Sequence, residues 1–570
     1  MKLVTKIIIT LSLVFAMNAC LNLDPLDQLA DGNLWKSAND FKYFANTFYG
    51  WTRDFNTSVY DAPHSDKRSD LITSSAINAF SHGNNSIPPS DANYTSNYAH
   101  IRRTNLLLQN AEKYTGNESI ARYVAEAKFF RAYCYFDLVQ LYGNVIIAKT
   151  PIDITSPELQ APRNDRSEVI DFIIQDLQEA ASDLPEDVST ADLGRLSKYA
   201  AYAFLSRVAL YEGTWQKSRG NDARGKALLA VAADAAKQVI NSKKYEVFKP
   251  SALKDMAYKY LFTLENVQSN PANLTKNDNK EYIFFRRHDE VLSPIGQNIT
   301  TECLANAQWL NRKLANMYLC SDGLPVEKSP KFQGYATMIS EFQNRDNRMK
   351  NTMLANGTNY WNNKPTSCRI DWKGMDGQDA THALTANVRN GTGYQNQKWA
   401  CERGVTDTYE GYDYPIIRYA EVLLNYAEAV FERDDKISDA DLDMSLNLVR
   451  TRVNADMPKL SNAFATANGL DMRTEIHRER TVELFDEGFR IDDLKRWKTA
   501  ETEMPQDILG IKWTGTEFQT AWGNASTITK NADGCLIMES GRSWSAKNYL
   551  YPLPADQLQL NPNLGQNEGW

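Results

Sequence analysis

The chain has 570 residues, 42% of them hydrophobic and 24% charged, which is the composition of an ordinary globular protein. Its formal net charge is −8, and its basic residues form no polybasic block. Because nucleic-acid binding needs a concentrated basic surface, nucleic acid is not expected as a partner. Aromatic residues make up 11% of the chain. We expect most of them in the cores of packed helices and the rest on flat apolar surfaces with polar tips.

The N-terminus has the pattern of a bacterial lipoprotein signal. Lys2 and Lys6 precede an apolar run over residues 7–17, and Ala19 stands directly before Cys20. This pattern predicts a signal peptide over residues 1–19, with Cys20 as the acylated N-terminus of a lipid-anchored protein. The alternative is simple cleavage near Ala19 that leaves Cys20 free. No later run of about 18 apolar residues predicts a membrane-spanning helix.

Helical periodicity dominates where the pattern is clear. Residues 121–143 are apolar on nearly every side, which predicts a helix inside a bundle that ends at Gly143. Residues 167–184 predict a helix with one apolar face, formed by Val169, Ile170, Ile173, Leu177, Ala180 and Leu184. Residues 194–213 and 416–432 combine alanines for close approach with aromatic knobs. These helices predict a mostly α fold, a degenerate tetratricopeptide-like helical-repeat scaffold in which neighbouring pairs stack.

Two regions lack this periodicity. Between about residues 250 and 405, Asn, Gly, Thr and Trp become frequent, and residues 500–548 are also irregular. We expect loop-rich insertions with short strands, mounted on the helical frame. Loops on a rigid scaffold commonly form binding surfaces, so ligand contacts are expected there.

The seven cysteines do not indicate a metal site. They form no CxxC pair and have no paired histidine nearby, which argues against structural zinc. Cys134 lies inside a strong helix pattern and is expected to be a buried free thiol. A disulfide among Cys303, Cys320, Cys368, Cys401 and Cys535 is left open by the sequence.

Catalytic motifs are also absent from the sequence. It contains no HExxH, GxSxG or glycine-rich phosphate loop, and only six histidines. The local cluster RHDE at residues 287–290 follows an apolar run and is expected to be a strand end or turn. Two distant carboxylates could still serve a glycosidase, an alternative that the sequence leaves open.

Residues 476–497 (IHRERTVELFDEGFRIDDLKRW) carry the densest charge. Glu479, Glu483 and Glu487 repeat at i,i+4 steps, where like charges repel and need arginine partners. Arg480 and Arg490 are the nearest arginines in the sequence. We expect a helix–turn–helix corner, with Gly488 at the turn, whose charges hold neighbouring helices together. His477 has no second metal-ligating residue beside it, so a metal or catalytic role is not expected.

Several stretches, in order, resemble the SusD/RagB-like proteins, the surface lipoproteins of Bacteroidetes nutrient-uptake systems. They are LDPLDQLADGNLWKSANDFKYFANTFY, NYAHIRRTNLLLQN, AEAKFFRAYCYFDLVQLYGNV, GRLSKYAAYAFLSRVALYEGTW, IIRYAEVLLNYAEA, LNLVRTRVN, IHRERTVELFDEGFRIDDLKRW and YLYPLPADQLQLNPNLGQNEGW. The resemblance implies one SusD-like domain over residues 20–570. Its helical scaffold would cover mainly 30–250, 406–500 and 548–570, with the loop-rich insertion at about 250–405.

The resemblance also implies a role. Such proteins cover a SusC-like TonB-dependent outer-membrane transporter as a lid and capture oligosaccharides for import, without enzymatic activity or a cofactor. The protein would be anchored to the outer membrane and face the cell exterior. Two departures are IIAKTPI after YGNV, where the family more often has a proline, and LNLD after Cys20, which carries little of the usual export charge. Alternatives are capture of peptides or another nutrient, a lid without ligand affinity, and a surface glycoside hydrolase. A structural calcium ion is left open.

Candidate ligand contacts come from the loops before the first strong helix and from the insertion, where the resemblance places them. Sugar rings present apolar C–H faces that stack on Trp and Tyr, and their hydroxyls bond to polar and charged side chains. The candidates are Asp66, Arg68, His82, Tyr94, Trp309, Trp361, Arg369 and Trp372. Trp309 and Trp361 rank highest because each has an Asn within two residues.

Overall fold

Long α-helices form the scaffold in the computed structural model, which describes residues 34–303, 308–355, 391–406, 408–521 and 523–570. In chain order the described helices are α1 (Ala38–Asn46), α2 (Phe55–Ser58), α3 (Ala92–Ala111), α4 (Ala121–Tyr142), α5 (Arg166–Asp183), α6 (Lys198–Lys217), α7 (Asp222–Ser242), α8 (Ala257–Leu261), α9 (Ile299–Thr301), α10 (Arg312–Met317), α11 (Met338–Phe342), α12 (Asn347–Thr352), α13 (Tyr419–Asp434), α14 (Asp439–Asp443), α15 (Leu446–Arg450), α16 (Asn462–Ala467), α17 (Met472–Glu483), α18 (Arg490–Trp497), α19 (Ala500–Glu503), α20 (Phe518–Ala521) and α21 (Ala555–Leu560). Short 3₁₀ turns connect several of them.

Helices α3 to α7 pack as successive neighbours, and α13 packs against α6 and α7. Helix α4 lies inside this bundle, since its buried residues occur on every side. It ends at Gly143, whose φ of 75° is a left-handed value that favours glycine. Helix α5 buries the predicted face, including Ile173 and Leu177. The helical predictions for these segments are therefore confirmed.

Described strands are short and lie mainly in the irregular regions. They are β1 (Ile72–Thr73), β2 (Tyr282–Arg286), β3 (Trp309–Leu310), β4 (Tyr394–Gln395), β5 (Tyr414–Arg418), β6 (Ile508–Lys512) and β7 (Cys535–Glu539). Strands β1, β3 and β4 form an antiparallel sheet with β3 in the centre, while β2 pairs with β5 and β6 with β7. Residues 287–290 directly follow β2, so the prediction of a strand end there is confirmed.

A second apolar core lies under the irregular regions. It joins Leu71 and Ile72 to side chains of α10 and to the 508–536 region, including Trp513 and Leu536. The insertion and the irregular stretch at 500–548 therefore pack on one another. The sequence predicts two separate loop-rich regions, because no local pattern indicates a contact between segments so far apart along the chain.

The charge-dense segment forms the expected corner, with α17 and α18 on either side of Gly488. The glutamates of α17 meet arginines from distant parts of the chain. Glu483 is fully buried and contacts Arg418 at 2.6 Å, Arg452 at 2.9 Å and Arg348 at 2.9 Å. These contacts join the helical scaffold to the insertion and to β5, so the prediction of a structural role is confirmed.

The prediction that Arg480 and Arg490 are the partners of these glutamates was wrong. Arg480 pairs with Asp493 at 2.8 Å, and Arg490 pairs with Asp70 at 2.8 Å. Both arginines point away from the glutamate row because neighbouring elements offer other carboxylates. His477 stacks on Trp497 with ring centroids 3.7 Å apart, and burial lowers the pKa of His477 to about 4. This imidazole is a packing element of the corner.

Cys134, Cys303, Cys320, Cys401 and Cys535 are all buried free thiols. The expectation for Cys134 is confirmed, and no disulfide joins the cysteines within the described residues. Cys20 and Cys368 lie outside those residues. No helix in the described ranges combines the length and apolar character needed to cross a bilayer.

Candidate functional site

A pocket of about 300 Å³ opens beside β1, within the segment that carries several of the predicted ligand contacts. The pairing of β1 with β3 fixes the backbone at this point against the insertion. Small polar, apolar and charged side chains line the pocket: Asp61, Lys67, Ile72, Thr73, Ser74, Ala76, Ile77, Asn78, Ala79, Phe80, Ser81 and Glu539. We call this site the 61–81 pocket.

Residues next to the lining of the 61–81 pocket are tied to the charged corner. The carboxylate of Asp66 accepts hydrogen bonds from the backbone N–H of Asp486 at 2.6 Å and of Arg490 at 3.2 Å. Arg490 in turn donates two hydrogen bonds of 2.8 Å to Asp70. The corner therefore holds the backbone on both sides of the turn that carries Lys67.

The pKa values of the carboxyl groups near the pocket are shifted in opposite directions. Burial raises the pKa of Asp66 to about 7, against the backbone hydrogen bonds that lower it. Burial likewise raises the pKa of Asp486, and the nearby charge of Asp66 raises it further. Burial would also raise the pKa of Asp70, but Arg490 and Lys313 hold it below its ordinary value. Two buried carboxyls with raised pKa values thus lie near the pocket, together with a third, Asp70, whose pKa is lowered.

One wall contains an arginine between polar and aromatic partners. Arg68 donates to Asp61 at 2.6 Å and to the hydroxyl of Tyr551 at 2.7 Å. Its guanidinium also lies 3.6 Å from the ring centroid of Phe80, and Phe80 stacks on Tyr551 at 5.1 Å. These contacts fix Phe80 and leave the Asp61 side chain half exposed at the pocket.

The opposite wall comes from the C-terminal region. Glu539, at the end of β7, accepts a hydrogen bond of 2.9 Å from the Thr73 hydroxyl and one of 3.1 Å from Arg542. Arg542 also donates to the backbone carbonyl of Ser69. The β6–β7 hairpin therefore closes the pocket against β1.

The remaining charged group is Lys67, which is half-buried. Its ammonium lies 5.7 Å from the ring centroid of Tyr60 and forms no ion pair with the described residues. Ile77 is 66% exposed and supplies apolar surface at the same pocket. Apolar surface therefore lies beside a lysine without an ion-pair partner in the described residues.

The structure places three predicted residues around this pocket, but not all as ligand contacts. Asp66 has no exposed surface, and its carboxylate serves the scaffold. Arg68 lies behind the wall, held by Asp61 and Tyr551. His82 is also buried, and its ring contacts Ser540 O at 3.0 Å and Asn84 at 3.1 Å. These three side chains do not line the pocket, and their polar atoms have partners inside the protein.

Trp309, one of the two highest-ranked candidates, is 6% exposed. It lies in β3, opposite Thr73, and its ring packs so closely under Gly391 that a Cβ there would approach Trp309 Cγ to 2.9 Å. Placed this way, the indole offers no open face for stacking on a sugar. The polar sequence around it suggested a loop, whereas the chain forms a buried strand.

Tyr94 lies at a different cavity, of about 350 Å³, between α3 and α21. The lining is mainly apolar and includes Tyr98, Ile101, Leu159 and Leu564. The structure therefore separates Tyr94 from the other described candidates. Trp361, Arg369 and Trp372 lie outside the described residues, and their ligand-binding role stays a prediction.

The residues that line the pocket are not among the predicted ligand contacts. Lys67 lies between two predicted contacts, Asp66 and Arg68. No sequence pattern indicates that its ammonium lacks an ion-pair partner. Glu539 lies 466 residues from Thr73, which it contacts. No local sequence feature could have indicated that pairing.

The described residues contain no group of three side chains suited to hold a metal ion. The structural calcium ion that the sequence leaves open stays untested. Asp61 and Glu539 are the two carboxylates in the pocket, and each is paired with an arginine.

Comparison with known families identifies the chain. The model of the SusD family matches residues 257–570, more than half of the chain, and a second model, described as starch-binding associating with outer membrane, matches residues 26–210. The chain therefore belongs to the SusD family. This membership confirms the family resemblance. SusD-like family members are carbohydrate-binding proteins and not enzymes, in agreement with the expectation for this chain.

Individual relatives are distant. A SusD-like protein of Bacteroides ovatus is 22% identical over 443 residues, which cover 77% of this chain and 71% of that protein. Two SusD-like proteins of Formosa agariphila are 30% and 26% identical over 124 and 223 residues, 21% and 36% of this chain. The matched segments span only 23% and 41% of those two proteins.

Solved structures share the fold. A SusD-like carbohydrate-binding protein from Bacteroides fragilis superposes with a TM-score of 0.72 at 21% identity, covering 93% of this chain and 99% of its own. A laminarin-binding SusD-like protein gives 0.59 at 21% identity, covering 94% and 100%. A protein crystallised with a xylogluco-oligosaccharide gives 0.64 at 19% identity, covering 92% and 98%. These matches confirm the mostly helical, tetratricopeptide-like fold.

Proposed function

We propose that this protein captures an oligosaccharide in the 61–81 pocket and delivers it, as a lid, to a SusC-like TonB-dependent outer-membrane transporter. The observation that carries the proposal is membership of the SusD family together with a pocket of mixed polar and apolar lining. The names of two structural neighbours, a laminarin-binding protein and one crystallised with a xylogluco-oligosaccharide, favour a saccharide over a peptide.

The chemistry of the pocket supports the same ligand class. Ile77 and its alanine neighbours offer apolar contact for the C–H face of a sugar ring. The half-exposed Asp61 carboxylate can accept hydroxyl hydrogen bonds, and the Lys67 ammonium can donate them. Small-molecule sites typically combine a largely apolar lining with few polar groups that fix orientation.

Isothermal titration of the mature chain against a panel of oligosaccharides and peptides tests the proposal. Ala79 lines the pocket and is exposed, so Ala79→Trp should fill the site without disturbing the core. We expect this variant to lose saccharide binding, while Ala121→Trp, at the exposed start of α4, keeps it. Binding of peptides but of no saccharide would contradict the proposed ligand class.

Membrane attachment and the transporter are the further parts of the proposal. The sequence before Cys20 supports lipid anchoring, and the family supports a location at the outer membrane, where we place the protein facing the cell exterior. A Cys20→Ala variant should no longer incorporate labelled palmitate and should leave the membrane fraction. Affinity purification from outer membranes should recover a TonB-dependent transporter with the wild-type protein. Recovery of the transporter with flat saccharide titrations would instead favour a lid without ligand affinity of its own.

A further inference from the structure

One charged side chain of the 61–81 pocket has no ion-pair partner among the described residues. Two carboxylates and one ammonium line it, those of Asp61, Glu539 and Lys67. Each carboxylate is paired with an arginine that does not itself line the pocket: Asp61 with Arg68 at 2.6 Å and Glu539 with Arg542 at 3.1 Å. Lys67 has no carboxylate partner in the part of the chain that the structure describes.

The position of Lys67 is fixed at its backbone. It lies in the 3₁₀ turn Asp66–Arg68, whose cap is a hydrogen bond from the Lys67 N–H to the Ser65 hydroxyl at 3.2 Å. Both neighbours in the turn are buried and bonded to the scaffold. The turn thus holds Lys67 in the lining of the pocket, and its ammonium lies 5.7 Å from the ring centroid of Tyr60.

An unpaired, half-buried ammonium distinguishes acidic from neutral ligands. Withdrawing it from water is unfavourable unless a strong partner replaces the lost hydration. A sugar hydroxyl replaces it with an ordinary hydrogen bond, whereas a carboxylate or sulfate ester supplies a charge-assisted bond of roughly twice the strength. The Tyr60 ring adds only the modest attraction of an exposed cation–π contact.

We infer that the 61–81 pocket takes an acidic saccharide, whose carboxylate or sulfate ester contacts the Lys67 ammonium. This inference rests on the proposed function and narrows its ligand class. The apolar surface at Ile77 and Ala79 receives the C–H face of the sugar, while the anionic group lies at the turn. Asp61 is half exposed and repels an anion placed beside it, so the acidic group must approach from the Lys67 side.

Titration with matched ligand pairs tests the inference on the full mature chain. One arm compares oligogalacturonates and glucuronate-containing oligomers with their neutral methyl esters. The other compares sulfated galactan oligomers with their desulfated forms, which separates a carboxylate from a sulfate source. We expect the acidic member of at least one pair to bind about tenfold more tightly. Its affinity, unlike that of the neutral member, should fall when salt is raised from about 50 to about 500 mM.

Variants assign this preference to Lys67. Lys67→Met should reduce the acidic-to-neutral ratio from about tenfold to about twofold or less, whereas Lys67→Arg should retain most of it. Lys237→Met removes the same charge from an exposed position on α7, with no described ion pair, and should leave the ratio unchanged.

The possible failures are distinguishable. If no saccharide of either kind binds, the proposed function fails first. If neutral saccharides bind and no acidic member of any pair binds more tightly, the inference is overturned while the proposed function stands. It is also overturned if Lys67→Met weakens both members of a pair equally, because the ammonium then serves the pocket without recognising charge.

Discussion

Removal of the Glu483 carboxylate offers a sharp test of the charged corner. Glu483 has no exposed surface, and its oxygens contact the guanidinium groups of Arg348, Arg418 and Arg452, each at most 1% exposed at its side chain. Glu483→Ala leaves these three buried cations short of one counter-charge. Breaking a buried ion pair by removing one partner commonly costs about 3–5 kcal/mol.

The titration behaviour of the same group gives a comparable magnitude. Burial would raise the pKa of Glu483, yet Arg452, Arg418 and Arg348 lower it from 4.5 to about 2. At about 1.4 kcal/mol per pKa unit, that difference corresponds to roughly 3 kcal/mol in favour of the ionised form. Because the folded-state pKa is depressed, this stabilisation is present above about pH 4.5 and is lost as the pH falls toward 2.

Urea unfolding at neutral pH, followed by circular dichroism, measures the cost. We expect Glu483→Ala to lower the free energy of unfolding by about 3–5 kcal/mol. Saccharide affinity should be nearly unchanged under conditions where the variant is folded. The control is Glu246→Ala, which breaks an exposed pair with Lys280 at 3.8 Å and should cost less than about 1 kcal/mol. A loss below about 1 kcal/mol for Glu483→Ala, or lost binding at unchanged stability, would refute the reasoning.

Other predictions concern the pocket base, the core and the thiols. Asp66 has a pKa of about 7 in the fold against an ordinary 3.8, so its folded form retains a proton that the unfolded chain releases. The free energy of unfolding, measured with urea, should therefore fall between about pH 4 and pH 7 by up to about 4 kcal/mol relative to that of Asp66→Asn. A constant difference between wild type and variant across that range would contradict this. Ile173→Ala removes a fully buried side chain of α5 and should lower the free energy of unfolding by about 2–5 kcal/mol, measured by the same method. A loss below about 1 kcal/mol would show that the helix does not bury this face. Cys134 is buried and its pKa is raised by burial, so it should react with a thiol reagent only after unfolding, as mass spectrometry of the labelled peptide would show; rapid labelling of the folded protein would argue against its placement.

Much of the scaffold could be predicted because its determinants are local. The apolar periodicity of α4 and α5 and the stop at Gly143 are properties of contiguous residues, and the structure confirms them. The corner at residues 476–497 was also recognisable, but its ion-pair partners were not. Glu483 meets arginines that lie 31 to 135 residues away, and only the packed fold brings them together.

The candidate site was harder to predict for the same reason. The segment before α3 lines the proposed pocket, yet predicted contacts such as Asp66 and Trp309 are buried. A charged or aromatic side chain in a polar stretch resembles a ligand contact in the sequence, although a strand pairing or a backbone hydrogen bond can take it into the interior. The residues that line the pocket, Ile77, Ala79 and Lys67, are chemically ordinary, and Glu539 comes from the far end of the chain.

The most direct test of the central claim is a crystal structure of the protein with the tightest-binding oligosaccharide from the titration panel. We predict a sugar ring against Ile77 and Ala79, with its polar groups near Lys67 and Asp61. A saccharide bound elsewhere, such as in the apolar cavity beside Tyr98, with the 61–81 pocket empty at saturating ligand, would contradict the assignment of the site.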